Sequence, residues 1–559
     1  MKLLINCLFG LCFWLLSASL FAQPATENFR PLESQGEMPA DFQNILNHQK
    51  EMSDYNVLLK NLVMDGQILF GTPLNDYVDE IVNNLTQNDL QLRKQLHIYI
   101  LKSPVVNACI TSNGILLVNV GLLAQVTNES ELAFVLAHEI SHFTEKHVDR
   151  INDYRGTLSN RDAFSSFLKY HNRSRAHELA ADRIALERFF KDSPYSYQAM
   201  MGVFDVLQYA GLPFDEVPFQ KSWVETNFYQ FPDKYYLPNI EPIRDRSGIG
   251  ETLFTHPNVD KRRTAARTLI NGLSDAGRGA FAQPEERFLE MREIARFECV
   301  SIFLLNHQFD DAYYNACVLQ QKHPDNAFLN EAVVAALYGL AKHKGTSTAS
   351  DVLHPYKEVE GEMQQTSYFL SKLSRPEASL LALRAAWKAK GKYPDDTYYS
   401  DVVKDLLKDI CIKNKMKFND FSDYPMGTNP DSIVMENNAP VDSSVNKYGR
   451  IRQQNQNNKV VPTSKFKTTN FMLVDIHQNP DFVNLMNLVV AEAEDERHQD
   501  GRRLREQGQQ RLLERSAADR CAGRRFRRRV PQEEDQRGDP DDAQSAEDQE
   551  GPVPAARTE

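Results

Sequence analysis

Cysteine is scarce in this sequence. Seven occur in 559 residues, and Cys7 and Cys12 lie close to the start, too early for a lipid-attachment site. The others, Cys109, Cys299, Cys317, Cys411 and Cys521, are an odd set without metal-binding spacing. That excludes a cysteine-held metal and leaves buried free thiols as the plain reading, with Cys299 facing Cys317 across a helical hairpin as the alternative. Positive charge is also short. Lys and Arg number 64 against 76 Asp and Glu, a net charge of −12. A nucleic-acid partner wants a basic footprint, so none is expected. Long apolar runs are nearly missing. One begins behind Lys2, runs from Leu3 to Leu16 and ends in SASLFA. It reads as a secretory signal peptide over 1–22, cleaved after Ala22. An uncleaved anchor is the alternative, since the stretch is almost long enough to span a bilayer. No second stretch is, so the only membrane contact expected is through this segment.

What the sequence does carry is ELAFVLAHEISHFTEKH at 131–147. Leu132, Phe134, Val135, Leu136, Ile140 and Phe143 fall at helical spacing and predict a mostly buried helix. Positions four apart share a helix face, so His138 and His142 can offer ring nitrogens to one metal ion. Glu139, one residue round, is placed to take a proton from water activated at that metal. Two neutral imidazoles favour zinc over magnesium or calcium. Burying two histidines and a glutamate without a purpose would cost free energy. His147, just past the helix, reads as a surface histidine that interacts with the helix dipole.

A third ligand is expected from a second helix, SRAHELAADRIALERFF at 174–190. Glu178 would complete a His-His-Glu set with an open fourth position. Asp182, on the same face, would accept a ring N–H from a ligating histidine and fix its tautomer. His177 points to a different face and reads as a neighbour. The bland alternative for Glu178 and Asp182 is a solvated charged face shared with Arg175 and Arg183.

HEISH, then SRAHELAAD, then THP at 255–257, resembles the zinc metallopeptidase family of the CaaX prenyl proteases and the periplasmic beta-barrel assembly-enhancing protease. NACITSNGILLVNVGLL and NESELAFVLAHE, upstream, resemble it too, and the likeness covers 38–273. Ala185 stands where that family usually has glycine, and Ala180 where a second glutamate is usual. The resemblance implies an α+β zincin-type metallopeptidase domain, mostly helical with a small β-sheet, holding one Zn2+ per chain. It also implies export to the bacterial periplasm and misfolded or stalled envelope proteins as substrates. Family members with a THP motif suggest two roles for His256. It would donate a hydrogen bond to the oxyanion, or occupy the metal's fourth position and keep the enzyme latent. Arg262, six residues on, would steady either arrangement or bind a substrate carbonyl.

The other segments read more coarsely. Length alone suggests three or four domains. The stretch 23–37 is polar and expected to be a disordered linker. Helices are expected over 41–62 and 74–85, a strand over 96–102, and a hairpin over 107–120 turning at Ser112-Asn113-Gly114. In that family's fold a strand of the sheet lies beside the catalytic helix, where an open edge would bind an extended substrate through its main chain. The aromatic- and proline-rich segment 213–250 would either cover the cleft or pack irregularly. An all-α domain over 287–415 resembles tetratricopeptide repeats. ACVLQQKHPDN and AAWKAKGKYPDD end similar segments there, with Pro324 and Pro394 close to two repeat periods apart. Its surface would bind polypeptide substrates or outer-membrane assembly partners. A polar linker over 416–467 and a helical fragment over 468–496 follow. From 497 to 559 lysine vanishes and arginine dominates, which reads as a disordered tail translated out of frame.

The expected function is therefore an exported zinc metalloendopeptidase of protein quality control. The alternative is a non-catalytic chaperone or adaptor that works through its helical repeats around a structural or latent zinc site.

Overall fold

The computed structural model describes residues 26–47, 54–147, 175–245, 259–346, 348, 350–427 and 467–526. Residues 1–22, expected to be a signal peptide, and everything beyond 526 lie outside the described residues.

Two short helices, α1 (Ala40–Asn47) and α2 (Asp54–Met64), lead into β1 (Ile68–Leu69). Helix α3 (Pro73–Leu85) starts where Pro73 presets the backbone and Asn75 turns back to accept the Thr72 N–H at 3.1 Å. The one-turn α4 (Leu90–Arg93) precedes β2 (His97–Leu101), β3 (Ala108–Ile110) and β4 (Ile115–Asn119). The sheet order is β1-β2-β4-β3, with β2 parallel to β4 and the other two pairs antiparallel. The β3–β4 turn needs a glycine twice over. Gly114 has φ +84°, and a Cβ there would stand 1.9 Å from the Gln95 carbonyl oxygen. Both faces of the sheet are covered. Ile98, Ile100, Leu116 and Val118 join the main core, whereas Tyr99, Leu101, Ile115 and Leu117 join Phe42, Leu59 and Leu62 of α1 and α2. That is why β4 is apolar at successive positions rather than alternating.

Helix α5 (Val120–Gln125) follows β4 directly, and α6 (Glu129–Thr144) is the HExxH helix. Helix α7 (Arg175–Ile184) runs into a π-helical stretch, Ala185–Phe190, and α8 (Ala199–Gln208) and α9 (Val259–Ile270) complete this region. A helical array follows: α10 (Glu285–Leu305), α11 (Phe309–Gln320), α12 (Ala327–His343), α13 (Met363–Lys372), α14 (Arg375–Lys392) and α15 (Thr397–Lys408). The two similar segments end in helix caps. Asn326 of HPDN accepts the Leu329 N–H at the start of α12, and Asp396 of YPDD accepts the Tyr398 N–H at the start of α15. Helix α12 packs against α11 and α14, and α14 against α15. The short α16 (Thr468–Phe471) and the long α17 (Pro480–Phe526) come last. Among the described residues no helix is long and apolar enough to cross a membrane.

One apolar core runs from Phe29 through the sheet, α6 and α8 to Phe297 of α10 and Leu329 of α12. Residues 26–35, expected to be a disordered linker, strap across it. The Thr26 carbonyl accepts from Asn326 at 2.6 Å, the Phe29 ring sits 5.1 Å from Phe297 and 4.9 Å from Phe328, and the Leu32 N–H donates to Glu298 at 2.9 Å. Two apolar anchors in a polar stretch were enough to order it. The segment 213–245 packs irregularly on the helical array: Phe231 and Tyr236 stand 4.9 and 5.9 Å from Phe369, and Tyr235 donates to Glu377 at 2.6 Å. Cys109, Cys299, Cys317 and Cys411 are free thiols. Residues 497–526, expected without regular structure, continue α17. Their Arg, Glu, Gln, Leu and Ala content is helix-forming whatever its origin.

Candidate metal centre

Helix α6 is started by a reciprocal cap. Asn128 accepts the Glu131 N–H at 3.0 Å, and the Glu131 carboxylate reaches back to the Thr127 N–H at 2.7 Å and its hydroxyl at 2.8 Å. Leu132, Ala133, Phe134, Leu136, Ala137 and Ile140 are all buried, so apolar neighbours surround the helix. His138, Glu139 and His142 go into the interior with it. Helix α7 lies alongside, held by Ala181 and Ala185, both fully buried, and by Phe190, whose ring meets Phe134 edge-on at 5.7 Å. Ala185, the position where glycine is usual in the resembling family, opens the π-helical stretch on this packed face.

Three side chains converge between the helices. His138 Nε2 and His142 Nε2 are 3.0 Å apart, and each lies 3.4 Å from an oxygen of Glu178. His138, His142 and Glu178 form a set able to hold a metal ion, and all three are buried. The spacing can be tested against zinc. A tetrahedral ion with bonds of about 2.0–2.1 Å spaces its ligands about 3.3–3.4 Å apart, close to the distances found. Charge agrees. Glu139, Glu178 and Asp182 are buried with one guanidinium, that of Arg262. Three carboxylates and one cation leave two negative charges, which a divalent ion cancels. The residues present therefore fit zinc.

Asp182 accepts from His138 Nδ1 at 2.8 Å, which turns the lone pair of Nε2 toward Glu178. Arg262 grips Asp182 with a fork, Nε at 2.8 Å and a terminal nitrogen at 2.6 Å, and its other terminal nitrogen lies 3.1 Å from Glu178. Burial works against a charged Asp182, but the guanidinium outweighs it and holds the carboxyl down at about 2. Burial and Arg262 also work against a charged His138. Its bonds to Asp182 and Glu178 prevail and hold it above its ordinary value. His256 lies outside the described residues.

His147 was read from sequence as a surface histidine. It is half-buried, its Nδ1 lies 3.0 Å from Nδ1 of His142, and its ring stacks on His177 at 4.1 Å. The Arg262 fork, spanning 80 residues, also had no local signal.

His138, Glu139 and Arg262 border a small cleft walled by Ala108, Leu122, Phe134, Val203 and Leu207, with Asn107 at its side. Strand β3, which contributes Ala108, is an edge of the sheet. Asn107 and Thr111 bond across to β4. By antiparallel alternation, the backbone groups of Ala108 point the other way.

Residues 73–159 match the model for peptidase family M48. The putative beta-barrel assembly-enhancing protease of Vibrio cholerae is 22% identical over 312 residues, 50% of this chain and 62% of that protein. The beta-barrel assembly-enhancing protease of Yersinia pestis is 29% identical over 114 residues, 20% of this chain and 24% of that protein. That of Escherichia coli is 27% identical over 105 residues, 19% and 21% of the two chains. These matches span between about a fifth and about three-fifths of the relatives' own lengths. The HExxH helix, the buried His-His-Glu set and the matched segment agree: residues 73–159 are similar to peptidase family M48, a family of zinc metallopeptidases.

Proposed function

We propose that the protein is a zinc metalloendopeptidase, exported to the bacterial envelope, that cuts misfolded or stalled envelope proteins. The observation that carries the catalytic part is the placement of Glu139 on the wall of the same cleft as His138, beside the edge strand β3. His138, His142 and Glu178 would hold the ion, and a zinc ion bound by them supplies Lewis acidity toward a peptide carbonyl. Glu139 is not in that set. It takes the proton of the attacking water and passes it to the leaving nitrogen. An extended substrate lies along β3 and bonds to the backbone of Ala108, a contact that reads little sequence. Asp182 keeps His138 in its tautomer, and Arg262 holds Asp182 and offsets one of the buried negative charges. His256, by the resemblance, acts on the oxyanion or on latency. The envelope substrate and the periplasmic location rest on the likeness to the assembly-enhancing proteases. Partner binding rests on the helical array.

The test is casein digestion by the mature protein and by Glu139→Gln, with metal content measured in both. Retained zinc with proteolysis reduced by about 10²–10⁴-fold supports the reading. Equal digestion by the two, with contaminating proteases excluded, overturns it.

A further inference from the structure

We infer that His147, braced by its stack on His177, is the positioning residue that fixes the tautomer and aim of His142. The inference rests on the metal centre proposed above.

The end of α6 builds this contact. Lys146 takes φ 54°, left-handed backbone that L side chains seldom adopt. Its N–H bonds to the Phe143 carbonyl at 3.1 Å, and the His147 N–H bonds to the His142 carbonyl at 3.0 Å. This is the Schellman pattern of paired bonds, which folds the second residue past the cap over the third-last residue of the helix. That contact is usually apolar. Here it is imidazole on imidazole, with the two Nδ1 atoms 3.0 Å apart. Two ring nitrogens at that distance share one proton. If His142 is to present a lone pair at Nε2, toward His138 and Glu178, its Nδ1 must carry the proton. Nδ1–H of His142 then donates and Nδ1 of His147 accepts.

The His177 ring lies parallel to that of His147, 4.1 Å away with 12° between planes. His177 precedes Glu178 on α7, so the stack ties the end of the HExxH helix to the helix of the third ligand. The two histidines of the set are thus held differently: His138 by a carboxylate locked to Arg262, His142 by a second imidazole stacked on α7.

Zinc affinity of the full-length protein, measured by competition with a chromogenic chelator, tests this, with the melting temperature of the zinc-free protein as a second readout. His147→Phe keeps a ring to stack on His177 but has no acceptor. His147→Asn restores an acceptor. Lys146→Gly, which suits the left-handed position, is the control. His147→Phe should lower zinc affinity by about 10–100-fold with the zinc-free melting temperature unchanged. His147→Asn should recover most of the loss, and Lys146→Gly should bind as wild type. If His147→Phe does not fold, His147→Ala, a truncation at a half-buried position, provides the same comparison. Wild-type affinity in His147→Phe, or equal loss in His147→Asn and His147→Phe, overturns the inference while leaving the metal centre intact. Failure of the wild type itself to bind zinc overturns both.

Discussion

Arg262→Met gives a direct measure of how the buried charges are held. Arg262 is 2% exposed, and its guanidinium forks onto Asp182 and reaches Glu178. Methionine fills a similar volume without charge. The variant leaves two buried carboxylates beside His138 without their counter-ion. Breaking one side of a buried pair costs about 3–5 kcal/mol, a large part of the roughly 5–15 kcal/mol that holds a folded domain together. The pH dependence identifies the cause. In the wild type Asp182 is held at about 2, below its ordinary 3.8, so its stabilisation is complete above about pH 4 and fades as pH falls toward 2. In Arg262→Met burial is no longer outweighed, and the folded carboxyl value rises above the ordinary one. The destabilisation is then greatest at neutral pH and shrinks as acid protonates the buried group. Urea unfolding of the zinc-free proteins at several values between about pH 8 and about pH 5 reads this directly. A deficit below about 1 kcal/mol, or one that does not change with pH, would refute the charge argument.

Three further outcomes are expected. Glu178→Gln should lose most of its zinc, because a neutral amide is a poor third ligand, whereas Asp182→Asn should lose about 10–100-fold in affinity; stoichiometric zinc in Glu178→Gln would remove Glu178 from the set. Glu139→Gln should keep its zinc, since Glu139 lies outside the His138, His142 and Glu178 set and its proposed role is on the proton; chelator competition shows whether it does. Gly121→Ala should destabilise by about 1–3 kcal/mol, because a Cβ there would lie 2.0 Å from the Pro104 carbonyl oxygen, in the loop that leads to Asn107 and β3. Thermal unfolding measures that cost, and an unchanged melting temperature would show that the loop yields freely.

What could be read from the sequence was local. His138, Glu139 and His142 share one helical turn, and Glu178 and Asp182 share another, so periodicity alone puts each group on one face. The hairpin was legible because Asn113-Gly114 is a turn signal, and Gly114 takes the left-handed backbone the turn needs. The HPDN and YPDD segments were legible as breaks, and their caps Asn326 and Asp396 explain why they recur. Arg262 was noticed, but its fork onto Asp182 depends on where α9 crosses α7. His147 was misjudged because the turn that folds it back has lysine, not glycine, at the left-handed position, so the usual signal of that turn is missing. The order of 26–35 was missed for a similar reason: Phe29 finds its partners some 270 and 300 residues away, at Phe297 and Phe328.

That strap has a consequence for anyone who would divide the protein. Phe29 precedes the peptidase segment in the chain, yet it inserts among rings of the helical array, while α10 of the array packs on α5 beside the HExxH helix. A fragment that stops after α9 would bare Phe288, Ile294 and Phe297's former seat to water, and one that starts at α10 would strip the same surface from the other side. The shared core is wider than the segment that matches a family, so substitutions as far along as Leu329 of α12 are expected to loosen the packing around the HExxH helix.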